Sequence, residues 1–278
     1  MGRSLDRDTM TDGSARIVST DELQATVEGD IPSQAAWWKQ SYTFGAHPES
    51  ISGNVIMEHG TYISVPTPSG ICMNVISTIT GDVMVGPGAH TAYLDYLSTD
   101  YTAKTVEIIL SGATVVNTFN TLPNPANDIY RVNAFGIKTV GTEGANIGYI
   151  TLKSPDNTVL YKEIKAGKSV SSPDTLYTVP KGKALYITSI EFTVVSTGSN
   201  APVICTAEAT YDREGKVALK AGTRFKEFHR VVIDDAANVR RFEVPIKFPA
   251  GTDIKCSATT QSGTAAVTVG MFGYTKTV

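Results

Sequence analysis

The residues able to bind metal or attack substrate are few, and their spacing assigns them no chemistry. Four histidines occur, at His47, His59, His90 and His229. None has a second His or a Cys at a metal-ligand spacing, and neither His-Glu-x-x-His nor Cys-x-x-Cys is present. Glu58 and His59 are adjacent, but neighbours on a strand point to opposite faces, which favours a structural histidine. Cys72, Cys205 and Cys256 are odd in number and widely spaced, so they make no disulfide framework. Cys205 and Cys256 sit among apolar, strand-like residues, where Cys behaves as a small hydrophobe. Gly-x-Ser-x-Gly is absent, and Gly81–Gly88 lacks the Lys-Ser/Thr of a phosphate loop, so it reads as a turn. The Asp-rich calcium-loop spacing is also missing. Paired carboxylates for glycoside cleavage come from distant strands and leave no local motif. The sequence therefore assigns no catalytic, metal-binding or cofactor-binding residue, and a non-enzymatic protein with no cofactor is expected.

The elements that carry these residues are strands. Thr, Val and Ile together supply 82 of the 278 residues, against 11 Leu. β-Branched side chains lose rotamer freedom in helices and pack well on pleated sheets. With 24 Gly and 13 Pro to make turns, this composition predicts an all-β fold. Strands are expected at Val55–Met57, Tyr62–Val65, Ile71–Ile79, Asp82–Val85, Ile129–Phe135 and Ile147–Lys153. Thr105–Leu110 and Ala113–Phe119 flank Ser111-Gly112, which reads as a hairpin turn. Asp212–Gly215 reads as another, between Val203–Tyr211 and Val217–Leu219. Leu185–Val195 alternates strictly, and Ile254–Ala258 and Ala265–Met271 complete the set. In Arg241–Phe248, Phe242, Val244, Ile246 and Phe248 are expected to face a core, with Arg241, Glu243 and Lys247 outside. Pro245 cannot donate to a ladder, which puts this strand at a sheet edge. So many strands suggest two stacked β-sandwich or jelly-roll domains, residues 49–140 and 141–278, preceded by an extended N-terminal arm of residues 1–48.

The arm is polar and acidic. Residues 1–30 hold three arginines against seven acids, a net charge of −4 within a chain of net −3. Ser19 and Glu22 make a capping-box spacing ahead of Leu23, and a short helical or irregular piece is expected over residues 33–40. Trp37, Trp38, Tyr42 and Phe44 form a dense aromatic cluster, either a partner-binding anchor or a cap on the first sandwich. A second charged region, residues 212–241, carries eight basic residues against five acids and reads as a solvated face, the alternative being contact with a phosphate backbone or an acidic protein arm. No leader follows the N-terminal Met and no apolar run is long enough to span a bilayer, so maturation in a reducing cytosol is expected, with no nucleic-acid or membrane partner.

Two stretches resemble the turn-plus-strand phrases of structural proteins of tailed-phage virions. The first runs through Tyr93–Tyr96, Thr105–Gly112, Asp128–Asn133 and Gly144–Ile150. The second comprises Tyr177-Thr-Val-Pro-Lys-Gly-Lys183, Phe248-Pro-Ala-Gly-Thr-Asp-Ile254 and Val269-Gly-Met-Phe-Gly-Tyr274. The resemblance covers roughly two thirds of the chain, leaves out residues 1–48, and carries over no catalytic residue. It implies a virion component assembled in the host cytoplasm. The expected role is a capsid decoration (cement) protein that binds the major capsid protein or other virion subunits as a homo-oligomer, expected to be a trimer. A tail or head-fibre protein is the alternative, and a carbohydrate-binding module or depolymerase a third. With both Trp in the arm, the sandwiches show no sugar-stacking platform.

Overall fold

Strand-forming composition carries through to the backbone. The computed structural model describes residues 34–42, 54–55, 70–120, 125–167, 171–172, 174–196, 202–210, 225–234, 236–260 and 265–278. Among them the regular elements are strands, apart from one short 3-10 turn at Thr118–Asn120. In chain order they are β1 (Gln34–Tyr42), β2 (Asn54–Val55), β3 (Asn74–Ser77), β4 (Ala89–Leu97), β5 (Ala103–Ile109) and β6 (Val116–Asn117). Next come β7 (Arg131–Val140), β8 (Ile150–Lys153), β9 (Leu160–Ile164), β10 (Tyr177–Thr178) and β11 (Lys183–Ser196). The last are β12 (Val203–Ala209), β13 (Lys226–Ile233), β14 (Ala237–Phe248), β15 (Asp253–Thr260) and β16 (Ala265–Thr277). The fold is all-β, built from antiparallel sheets, as the composition predicted.

Two sheets, β6-β3-β8-β9 and β5-β4-β7, share the first hydrophobic core. Met73, Val75, Leu94, Ile108, Ile129, Phe135, Ile150, Leu152 and Ile164 are buried there. The sequence drew its domain line at residue 140, whereas β8 and β9 beyond it pair with β3 and with each other. Two local expectations are corrected. Ser111-Gly112 does not close a hairpin: β5 pairs with β4 and β6 with β3, so the turn carries the chain from one sheet to the other. Gly112 has φ +62° and a Cβ there would lie 2.9 Å from the Thr80 backbone, so only glycine fits the crossing. Asp82–Val85 is not a strand but a turn organised by the buried Asp82 carboxylate. Its Oδ1 accepts from the Ala89 and Ile147 amides at 2.8 and 2.9 Å. Its Oδ2 accepts from the Ser77 hydroxyl and the Gly148 amide at 2.6 and 2.9 Å.

The second core lies between β1-β16-β11-β14 and β10-β15-β12-β13, with β2 also on β15. Strict alternation along β11 is broken once. Leu185 and Ile187 are buried, and then Ile190, Phe192 and Val194, a change of phase across Thr188-Ser189. Pairing with β16 jumps there from Ile187↔Gly273 to Ser189↔Phe272, leaving Thr188 as the extra residue of a bulge. Thr188 donates its hydroxyl to the Phe272 carbonyl at 3.1 Å. On the other side of β11 the register jumps from Ile187↔Ile246 to Ser189↔Arg241, so Phe242–Pro245 lie opposite Thr188 alone. The expected inward row therefore fails at its centre. Phe248 is buried and Phe242 and Ile246 flank the core, but Val244 is 80% exposed. β14 does lie at the edge of its sheet among the described strands, as Pro245 required.

Candidate functional site

The two cores meet across a polar joint made by residues far apart in sequence. Arg131 on β7 forms a bidentate pair with Asp253 on β15: Nε donates to Oδ1 and Nη2 to Oδ2, each at 3.0 Å. Both residues are 6% exposed. Thr178 donates its hydroxyl to the same carboxylate at 2.5 Å, and the guanidinium lies 4.4 Å from the Tyr130 ring centroid. Asn133 clasps the Thr178 backbone, donating to its carbonyl at 2.9 Å and accepting from its amide at 2.8 Å. A second ion pair, Lys162–Asp174, lies close by with Nζ 2.6 Å from Oδ2 and no exposed side-chain surface. A cavity of about 20 Å³ touches Arg131, Lys162, Thr178 and Asp253. A void of that size holds one water, not a substrate.

The outer feature is one open side of the second sandwich. Among the described strands, β13 and β14 each lie at an edge of one of its two sheets, opposite the edges held by β10 and β1. Val232, Val239 and Val244 are 60%, 54% and 80% exposed along them. Lys226, Arg230, Arg240 and Arg241 are exposed on the same strands. His229 lies inside this edge, its ring 6.1 Å from that of Phe192 and 6.2 Å from that of Phe242. Burial, and secondarily the Arg240 charge, hold its pKa below the ordinary histidine value. Large exposed apolar side chains thus stand among charges of both signs, since Glu227, Asp234 and Glu243 are exposed here too and Glu227 pairs with Arg230.

The partner-binding residues expected from sequence are only partly brought into view. Residues 34–42, expected in part as a helical or irregular piece, are strand β1, which continues the second sandwich's sheet. Trp37 pairs with Gly273, Trp38 with Phe272 and Tyr42 with Thr268 along β16. β16 presents a free ladder edge that an extended segment satisfies, and this overrides the weak helical signal. Phe44, the capping box at Ser19–Glu22 and the hairpin at Asp212–Gly215 lie outside the described residues. So do Arg213, Lys216, Lys220 and Arg224 of the basic cluster, whose described members lie on β13 and β14. Cys205 and Cys256 are buried in the second core as apolar residues, and burial pushes the Cys205 thiol up to about 12. Among the described residues no cluster of His, Cys, Asp and Glu has the makings of a metal site. Arg131, Asp253, Lys162 and Asp174 went unnoticed in the sequence, where no motif links them.

No family model matches the chain, and no curated protein matches it. Among solved structures it is similar to that of infectious bursal disease virus Gt strain, with 11% identity over 88% of this chain and 74% of that one, at a TM-score of 0.14. It is similar also to the infectious bursal disease virus VP2 subviral particle, with 10% identity over 88% of this chain and 71% of that one, at a TM-score of 0.19. With TM-scores this low, the likeness bears on neither fold nor function.

Proposed function

We propose that the protein is a non-enzymatic structural component of a tailed-phage virion, a decoration protein that binds and stabilises the head shell as a homo-oligomer. The reading begins from the phage-like phrases Tyr177–Lys183 and Phe248–Ile254, which fall at β10–β11 and β14–β15. The observation that carries it is the open side of the second sandwich. Strand edges with exposed valines, unpaired among the described strands, invite association and are normally blunted or covered. Here Val232, Val239 and Val244 stand beside Arg230, Arg240 and Arg241, and although Glu227, Asp234 and Glu243 are also exposed, cations outnumber acids along the edge, which suits an acidic neighbouring subunit. Binding across two capsomers stabilises the shell by mass action, because parting them then requires release of the added subunits.

The test is reconstitution. Purified protein is mixed with particles lacking it, and bound protein is measured after sedimentation. Val239→Asp with Val244→Asp, and separately Arg240→Glu with Arg241→Glu, are expected to reduce occupancy at least tenfold with unchanged melting temperature. Raising salt is expected to loosen wild-type binding, since exposed charges are screened within about 10 Å at 0.1 M. Normal decoration by both variants would reject this surface as the contact.

A further inference from the structure

The Lys162–Asp174 contact is more than an ion pair in its surroundings. β9 reads Leu160-Tyr-Lys-Glu-Ile164, and beyond the irregularity at Tyr161 its alternation places Lys162 in one row with the buried Ile164. A lysine therefore stands at a core-facing position. Asp174 belongs to the segment that leads from the first core into β10, and its Oδ1 accepts from the Leu176 amide at 2.9 Å. Its other oxygen is 2.6 Å from Lys162 Nζ, and neither side chain has any accessible surface.

Burial disfavours the charged form of each group, and the contact lets one proton pass from the ammonium to the carboxylate. The result is a neutral amine, which is a nucleophile, touching a protonated carboxyl, which is an electrophile. Fixed contact of this kind replaces the improbable encounter of two dilute groups, an advantage equivalent to very high effective concentration. The geometry points to an intramolecular amide cross-link between Lys162 and Asp174. The Nζ–Cγ bond forms and the Cγ–Oδ2 bond breaks. The departing oxygen takes the carboxyl proton and one amine proton and leaves as water. Neither an oxidant nor a co-reactant is needed. The cavity of about 20 Å³ that touches Lys162 is large enough for the one water released, and Arg131, Thr178 and Asp253 give it polar walls. The product removes two buried charges and ties β9 of the first sandwich to the strap entering the second, a covalent brace that suits a protein under mechanical load.

Mass spectrometry of the denatured full chain tests this directly. The expected mass is that of the sequence less one water, and Lys162→Met and Asp174→Ala are each expected to show their full sequence masses. After trypsin, the wild type is expected to yield a branched species joining residues 154–165 to residues 169–181, since an acylated Lys162 is no longer cleaved. Full sequence mass in the wild type would overturn the proposal and leave an ordinary buried ion pair. So would a one-water deficit with linear peptides only, as a succinimide at Asp12-Gly13 would produce. The wild-type measurement stands whether or not the variants fold.

Discussion

Replacing Asp253 with alanine isolates what holds the two cores together. Arg131 is 6% exposed and makes two hydrogen bonds to that carboxylate. The variant keeps the guanidinium buried and removes its counter-charge, while its hydrogen bond to the Tyr130 carbonyl at 3.0 Å and its place over the Tyr130 ring remain. Thr178 loses its acceptor as well. Breaking one side of a buried pair costs about 3–5 kcal/mol, most of it from the charge left behind. At roughly 2–4 °C per kcal/mol for a domain of this size, the melting temperature falls on the order of 10 °C. The partner variant Arg131→Met with Asp253→Leu removes both charges and fills the space. It is expected to recover to within about 2 kcal/mol of wild type, because the pair itself is worth little against a well-filled apolar joint. Calorimetry and urea unfolding followed by circular dichroism measure both. If the double variant is as unstable as Asp253→Ala, or the single variant shifts melting by less than about 2 °C, the charge argument fails.

Other outcomes follow from the same geometry. Val244→Asp, on the bulged and exposed part of β14, is expected to change stability by no more than about ±0.5 kcal/mol. Phe192→Ala, fully buried in the second core, is expected to cost about 3–5 kcal/mol in the same denaturant titration. His229 has a lowered pKa in the folded state, so the unfolded chain binds the proton first as pH falls. Stability is therefore expected to be complete above about pH 6.5 and to decline below it, with His229→Phe flattening that part of the curve of melting temperature against pH. Deleting residues 1–42 uncovers the β16 edge from Thr268 to Lys276 and is expected to lower melting temperature and promote aggregation, read by light scattering.

Much of the fold was legible because strand signals are local. Thr, Val and Ile abundance, the alternation of β11, and Pro245 at an edge each depend on the side chain and its near neighbours. The phase change at Thr188 was not legible, because a bulge arises from pairing with Gly273 and Phe272, more than 80 residues away. Close approach there leaves room only for glycine: a Cβ on Gly273 would lie 2.0 Å from the Tyr186 carbonyl oxygen. Without the bulge, Val244 looked like a core residue. The polar joint was hidden for a similar reason, since Arg131 and Asp253 stand 122 positions apart. Lys162 was hidden as well, because no strand was expected over residues 160–164, where β9 turns it inward beside Ile164. The aromatic cluster at Trp37-Trp38 was visible, but its strand pairing depends on the open edge of β16, which no local pattern reveals.

A place in the virion shell is tested most directly by counting molecules. Quantitative mass spectrometry of purified particles, calibrated on the major capsid protein, gives the copy number per particle. A decoration role predicts abundance close to that of the capsid protein, in a fixed ratio set by the shell's symmetry. A handful of copies would place the protein on the tail or head fibre instead, and its absence from particles would contradict a virion role altogether.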